Sequence, residues 1–301
     1  MVSDARALSM LSGEEGDKTE ARGAQGSYAA DKYIHKSKES GMERIATGVN
    51  GFDTLVEGGL PKGTNILLTG SPGTGKSIFA LSYLYSGAMN GENGLYISMD
   101  SAISLLKEQA RQFGMDIEGL EKQGKIFFLR VPLDKNKLNI FEMIEKVKSQ
   151  INAKRLVFDS LAAFSINIDL FTIPLGYAGN VASSVSMGEG AASDQPDVGK
   201  VFYTGNSDKR MVSLVLEELK SLGTTNLIIS FGGTEEGQIT MDGVSEYACD
   251  GIIQMHNELI GAKHFRTLSI IKMRDTDHSQ YVHNVDIGKE GLIVKPAESI
   301  M

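Results

Sequence analysis

The stretch Gly70-Ser71-Pro72-Gly73-Thr74-Gly75-Lys76-Ser77 constrains this chain more than any other. It fits the pattern G-x-x-x-x-G-K-[ST], and its flanks supply the context that pattern needs. Before it, Asn65-Ile66-Leu67-Leu68-Thr69 reads as a buried strand; after it, Ile78-Phe79-Ala80-Leu81-Ser82-Tyr83-Leu84-Tyr85 reads as a helix. Gly70, Gly73 and Gly75 let the backbone turn tightly, so that its N–H groups and the helix N-terminus point at phosphate oxygens. Lys76 is placed to reach the β- and γ-phosphates, and the Ser77 hydroxyl to ligate Mg²⁺. The expectation is a Walker A phosphate-binding loop for a nucleoside triphosphate, running from Gly70 to Ser77.

A chain of 301 residues, 41% of them hydrophobic, can bury a sizeable core around such a loop. The net charge of −8 argues against general attraction to nucleic acid or to an anionic membrane. A lone cysteine, Cys249, rules out an internal disulfide. The start Met1-Val2-Ser3-Asp4-Ala5-Arg6 does not resemble a signal peptide. No apolar run approaches the ~20 residues that span a bilayer. A cytoplasmic protein without membrane insertion is expected.

Residues 1–42 are rich in Ser, Gly, Ala, Glu and Lys and poor in large apolar side chains, which predicts a flexible tail. Residues 43–297 then read as one domain. Its strands are expected at 65–69, 94–99, 125–131, 155–159 and 226–231, separated by helices that include Ile103 to Phe113, Asn139 to Ile151 and Met211 to Leu222. That alternation is the signature of an α/β fold, a mostly parallel central sheet with helices on both faces. From about Tyr247 the pattern becomes strand after strand (Gly251 to Met255, Thr267 to Met273, Tyr281 to Ile287, Leu292 to Lys295), read as hairpins adding an antiparallel C-terminal extension. The Gly-, Ser- and Ala-rich region 169–208 interrupts the regularity as an inserted loop.

Three further positions carry chemistry. Asp159 ends the apolar strand Arg155-Leu156-Val157-Phe158, the setting of the carboxylate that holds Mg²⁺ opposite a phosphate loop. Asp100, in Ser98-Met99-Asp100-Ser101 at the end of the second strand, is a candidate base for the attacking water. Equally, Asp100 or Ser101 could cap the helix that begins at Ile103. Lys272 and Arg274 fall on one face of a late strand, with Met273 turned away. They are either a solvated face or a pair aimed at a neighbouring subunit's phosphates. The five histidines share no zinc-like spacing with Cys249.

With these residues in view the chain resembles the KaiC-like branch of the RecA superfamily, from about Arg44 to Val294. Thr47-Gly48-Val49-Asn50-Gly51-Phe52-Asp53 followed by Gly58-Gly59-Leu60-Pro61-Lys62-Gly63 resembles the family's lead-in. Val157-Phe158-Asp159-Ser160-Leu161 resembles its magnesium strand, and Lys272-Met273-Arg274-Asp275-Thr276-Asp277-His278 its late K-x-R motif. The resemblance implies a RecA-like ATPase core that assembles into a homo-oligomeric ring, usually a hexamer, with Mg-ATP at subunit interfaces. It also implies Lys272 and Arg274 as contacts in trans to the neighbour's γ-phosphate. The family's Glu-Glu pair after the second strand is Asp100-Ser101 here, which predicts slow hydrolysis, and its Gly after the basic pair is Asp275. A signalling or assembly switch acting on an unidentified protein partner is therefore expected. The alternative is a DNA-handling ATPase. It is disfavoured because the stretches corresponding to DNA-binding loops, Asp169–Lys200 and Gly232–Glu246, are acidic.

Overall fold

The computed structural model describes residues 41–131, 139–168, 171, 207–232, 238–295 and 297. The expected tail lies outside the described residues but for its last two positions, and so does nearly all of the expected inserted loop. A two-stranded clasp, β1 (Arg44–Ile45) antiparallel to β2 (Leu60–Pro61), precedes a nine-stranded sheet. The sheet contains β3 (Asn65–Gly70), β4 (Gly94–Ser98), β5 (Ile126–Arg130), β6 (Arg155–Asp159), β7 (Thr225–Ile229), β8 (Gly251–Ile260), β9 (Lys263–Met273), β10 (His283–Gly288) and β11 (Gly291–Lys295). Their spatial order is β11-β10-β9-β8-β3-β7-β6-β4-β5.

Strands β5, β4, β6, β7, β3 and β8 are parallel, and β9, β10 and β11 continue the sheet antiparallel. The expected run of hairpins is present from the β8–β9 turn onward, and β8 also joins β3 in parallel, which attaches the run to the sheet. That ribbon is also longer than expected, pairing out to Ile260 and Lys263, because backbone ladders continue through His256, Asn257 and Glu258 where the apolar pattern stops.

Helices α1 (Lys76–Met89), α2 (Ile103–Gln112) and α3 (Ile117–Lys122) cover one face of the sheet; α4 (Ile140–Ile151), α5 (Leu161–Ile166) and α6 (Ser207–Ser221) cover the other. A short α7 (Ser245–Ala248) leads into β8. The inner strands are buried throughout, as the near-continuous apolar runs of a doubly covered parallel sheet require. Asn139 caps α4 by accepting from the Glu142 N–H at 3.2 Å, and Ile140, Ile144 and Val147 form its buried stripe.

The lead-in motif has a local reason. The Asp53 carboxylate accepts from the Thr47 N–H at 2.9 Å and the Thr47 hydroxyl at 2.6 Å, closing the turn that seats Phe52 edge-on against Phe79 of α1. Arg155, at the start of β6, fastens α1 to the sheet. Its guanidinium donates to the carbonyls of Ala46 (2.8 Å) and Tyr83 (2.7 Å), pairs with Glu92, and lies 4.8 Å from the Tyr83 ring centre. It passes over Gly87, where a Cβ would lie 2.3 Å from Nε.

Because α1 is the helix that follows the phosphate loop, this arginine fixes the height of that loop on the sheet. Arg155→Met leaves Glu92 without its cation and removes a donor from the carbonyls of Ala46 and Tyr83. It is expected to cost about 3–5 kcal/mol, read as a lower midpoint in urea unfolding.

Candidate functional site

The loop after β3 turns back on itself at glycines that no other residue could replace freely. Gly70 has φ +146° and a Cβ there would sit 2.1 Å from the Met255 carbonyl oxygen; Gly75, with φ +108°, is the N-cap of α1. Lys76 is folded back and buried. Its ammonium donates to the carbonyls of Gly70 at 2.7 Å and Ser71 at 2.9 Å and lies 5.3 Å from the centre of the Phe231 ring. Burial lowers its pKa to about 8, with the Asp159 charge pulling the other way. From the neighbouring ribbon, Arg266 Nε donates to the Gly73 carbonyl at 3.0 Å and holds the outer rim of the loop.

The carboxyl ends of β6 and β4 bring the other oxygen groups to the same place. Ser98 of β4 is in register with Asp159 of β6, so Asp100, two residues further on, stands beside Asp159. Its carboxylate is exposed, with Oδ2 3.5 Å from the Ser160 hydroxyl. Asp100 does not cap the following helix. The N-cap of α2 is Ala102, which offers no side-chain acceptor, and the Ser98 hydroxyl spans the turn instead by donating to the Ser101 carbonyl at 2.7 Å. The helix-cap reading is thereby corrected. Ser160 takes a cap role on the other strand, accepting from the Ala163 N–H at 3.1 Å at the start of α5.

Tyr96 is the participant that sequence reasoning missed. It is fully buried, stacked on Phe128, and its hydroxyl donates to Asp159 Oδ2 at 2.5 Å. Burial pushes the Tyr96 phenol well above its ordinary value, and the Asp159 charge adds to this. Asp159 itself is pushed up to about 6 by burial; Tyr96 opposes that shift, Asp100 reinforces it and Lys76 opposes it.

Lys272 and Arg274 are not part of this cluster. The phosphate loop leaves β3 at Gly70, opposite Met255 of β8, whereas Lys272 is opposite Ile252, about 10 Å back along the strand. Lys272 Nζ donates to the carbonyls of Cys249 (2.7 Å) and Glu246 (3.2 Å), and Arg274, just past the end of β9, contacts Asp250 at 3.2 Å. Both cations lie at the amino end of β8, out of reach of the loop in their own chain. Among the histidines, His283 is buried, its Nε2 2.7 Å from the Ser279 hydroxyl. No described group of three or more His, Cys, Asp or Glu side chains could hold a metal by itself.

A glycine loop at the carboxyl end of a central parallel strand, with Lys, Ser and a strand-end Asp converging on it, defines a P-loop nucleotide-binding protein of the RecA type. A family model described as "ATPase: KaiC" matches residues 45–169 and 203–299, and the chain belongs to that family. The interval left between the two matched stretches falls within the region expected as an inserted loop.

The UPF0273 protein of Aeropyrum pernix is 31% identical over 257 residues, covering 85% of this chain and 94% of that protein. The circadian clock protein KaiC3 of a Synechocystis strain is 28% identical over 272 residues, and there the match spans only 47% of the relative's length. This chain therefore corresponds to about half of the KaiC clock proteins it matches. Among solved structures, a KaiC-like protein of Pyrococcus horikoshii OT3 superposes with a TM-score of 0.65 at 29% identity, covering 85% of this chain and all of that one. Family membership implies a nucleotide-binding ATPase domain. No described helix is long and apolar enough to cross a membrane.

The buried Asp159 has a consequence for stability. Its ordinary value is 3.8 and its folded value about 6, so between those limits the folded protein holds a proton that the unfolded chain has lost. The contribution of this group to stability therefore falls as pH rises through that window and stays low above it. Asp159→Asn is expected to stabilise the nucleotide-free protein at neutral pH by up to about 3 kcal/mol. In paired thermal melts the gap to wild type should close in mild acid.

Proposed function

We propose that the protein is a Mg-ATP-dependent ring ATPase of slow turnover, which uses nucleotide occupancy to switch assembly or to present a surface to a protein partner. The observation that carries this reading is the convergence of Lys76, Ser77, Asp159 and Asp100 at the carboxyl ends of the parallel strands β3, β6 and β4, with β7 between the first two. In this reading the loop N–H groups and Lys76 hold the triphosphate. Lys76 exchanges its two loop carbonyls for phosphate oxygens, whose negative charge offsets the lowering of its pKa by burial.

The Ser77 hydroxyl and Asp159 carboxylate are hard oxygen donors of the kind Mg²⁺ takes alongside its waters, and they fit that ion. When bound, the ion neutralises charge on the β- and γ-phosphates. Asp100 is the exposed carboxylate next to this site and serves as the base that orients the attacking water. One methylene shorter than a glutamate, it reaches that water less well, which supports slow turnover.

Lys272 and Arg274 lie too far from the loop of their own chain to touch its nucleotide, and this supports a role on the neighbour's. The reading is tested by steady-state ATP turnover together with size-exclusion chromatography with and without Mg-ATP. Wild type is expected to turn over slowly and to assemble with nucleotide. Asp100→Asn and Arg274→Ala should each lower turnover at least about tenfold, as loss of a base or of a trans cation does. Mixing the two inactive variants should restore part of the rate, because some interfaces then pair an intact Asp100 with an intact Arg274. No recovery on mixing would remove the trans assignment, and rapid turnover in Asp100→Asn would remove the base.

A further inference from the structure

We infer that Tyr96 is a positioning residue for the metal side of this site, holding one oxygen of Asp159 so that the other is turned toward the cation. The inference rests on the nucleotide reading above and extends it to a residue outside the phosphate-loop and strand-end motifs.

In P-loop sites of this type a strand-end carboxylate faces the ion. Tyr96 carries a single proton, and its hydroxyl donates that proton to Asp159 Oδ2 at 2.5 Å. That bond fixes one oxygen of the carboxylate. Among the described residues no hydrogen bond engages Asp159 Oδ1, which is left for the cation.

The ring that carries the hydroxyl is packed as core. Tyr96 has no exposed surface, and its ring stacks on Phe128 with centroids 5.4 Å apart. Val157, its partner on β6, lies two residues before Asp159, the diagonal separation across which an aromatic side chain reaches a neighbouring strand. A purely structural role would need the ring and not the hydroxyl. The two roles therefore separate under Tyr96→Phe, which keeps the ring volume and the stack.

The test is a Mg²⁺ titration of the binding of a fluorescent ATP analogue, performed on wild type, Tyr96→Phe and Phe128→Leu, with binding in EDTA as reference. A Mn²⁺ paramagnetic-resonance titration of the ADP complexes gives a second readout that does not depend on turnover. For Tyr96→Phe, the metal half-point is expected to rise about 10- to 100-fold, the usual consequence of losing the group that orients a ligand. Its affinity for nucleotide in EDTA should stay at the wild-type value. Phe128→Leu loses the stack but keeps the hydroxyl, so its melting temperature should drop while its metal half-point stays unchanged. Tyr96→Phe with a wild-type half-point, or a half-point that moves equally in Phe128→Leu, overturns the inference alone. Wild type that binds nucleotide without regard to Mg²⁺, or does not bind it, overturns the nucleotide reading as well.

Discussion

Everything at this site depends on one desolvated pair of opposite charges, the Lys76 ammonium and the Asp159 carboxylate, set on either side of a glycine loop. Neither has its ordinary surroundings. Burial pushes the lysine down to about 8 and the aspartate up to about 6, so each charged form is held at a cost that the other only partly offsets. Such a pair is poor glue for a fold. It is well suited to a ligand that carries several negative oxygens and a divalent cation, since that ligand brings each group a full opposite charge in place of the neutral dipoles that now contact it. Nucleotide binding and stability are therefore linked.

The rest of the molecule keeps that pair from relaxing. Gly70 lets β3 leave the sheet against the Met255 carbonyl, Gly75 starts α1 from a left-handed backbone, and Arg155 fixes α1 to β6 from below. The two apolar layers on either face of the sheet make those positions rigid, because the strands are buried along their whole length. A loop held this firmly already presents its N–H groups, and less entropy is lost when phosphate arrives.

The strands, the phosphate loop and the carboxylate at the end of β6 were legible in the sequence because each is a local pattern: an apolar run, a glycine spacing, an acidic residue after four buried ones. The order of the strands was not. Tyr96 escaped notice for that reason, since a tyrosine inside Leu95-Tyr96-Ile97 looks like ordinary core until β4 is known to lie beside β6. The cap reading at Asp100 or Ser101 failed for a local reason, since the N-cap falls at Ala102, one residue after Ser101 and two after Asp100. Strand β8 reads as the first arm of a hairpin in sequence, and only its pairing with β3 makes it the sixth parallel strand. Pairing between distant strands is a property of the fold and leaves no trace in a short window.

The polarity of the chain carries a last consequence. Lys76 and Asp159 stand at the carboxyl ends of their strands, whereas Lys272 and Arg274 stand by the amino end of β8, beside Cys249 and Asp250. If the proposed trans role holds, one subunit gives the front of the site and the next gives its back, from different surfaces of the same fold. An interface of that kind is heterologous, and it cannot be satisfied by a two-fold pair in which both partners use the same patch. It repeats head to tail until the rotation closes a ring or fails to close and makes a filament. The Asp250 contacts bear on that choice. Lys220 already binds both oxygens of Asp250, at 2.8 and 3.0 Å, so Arg274, at 3.2 Å and more than half exposed, can leave its own chain for a neighbour's phosphate without stranding a buried carboxylate.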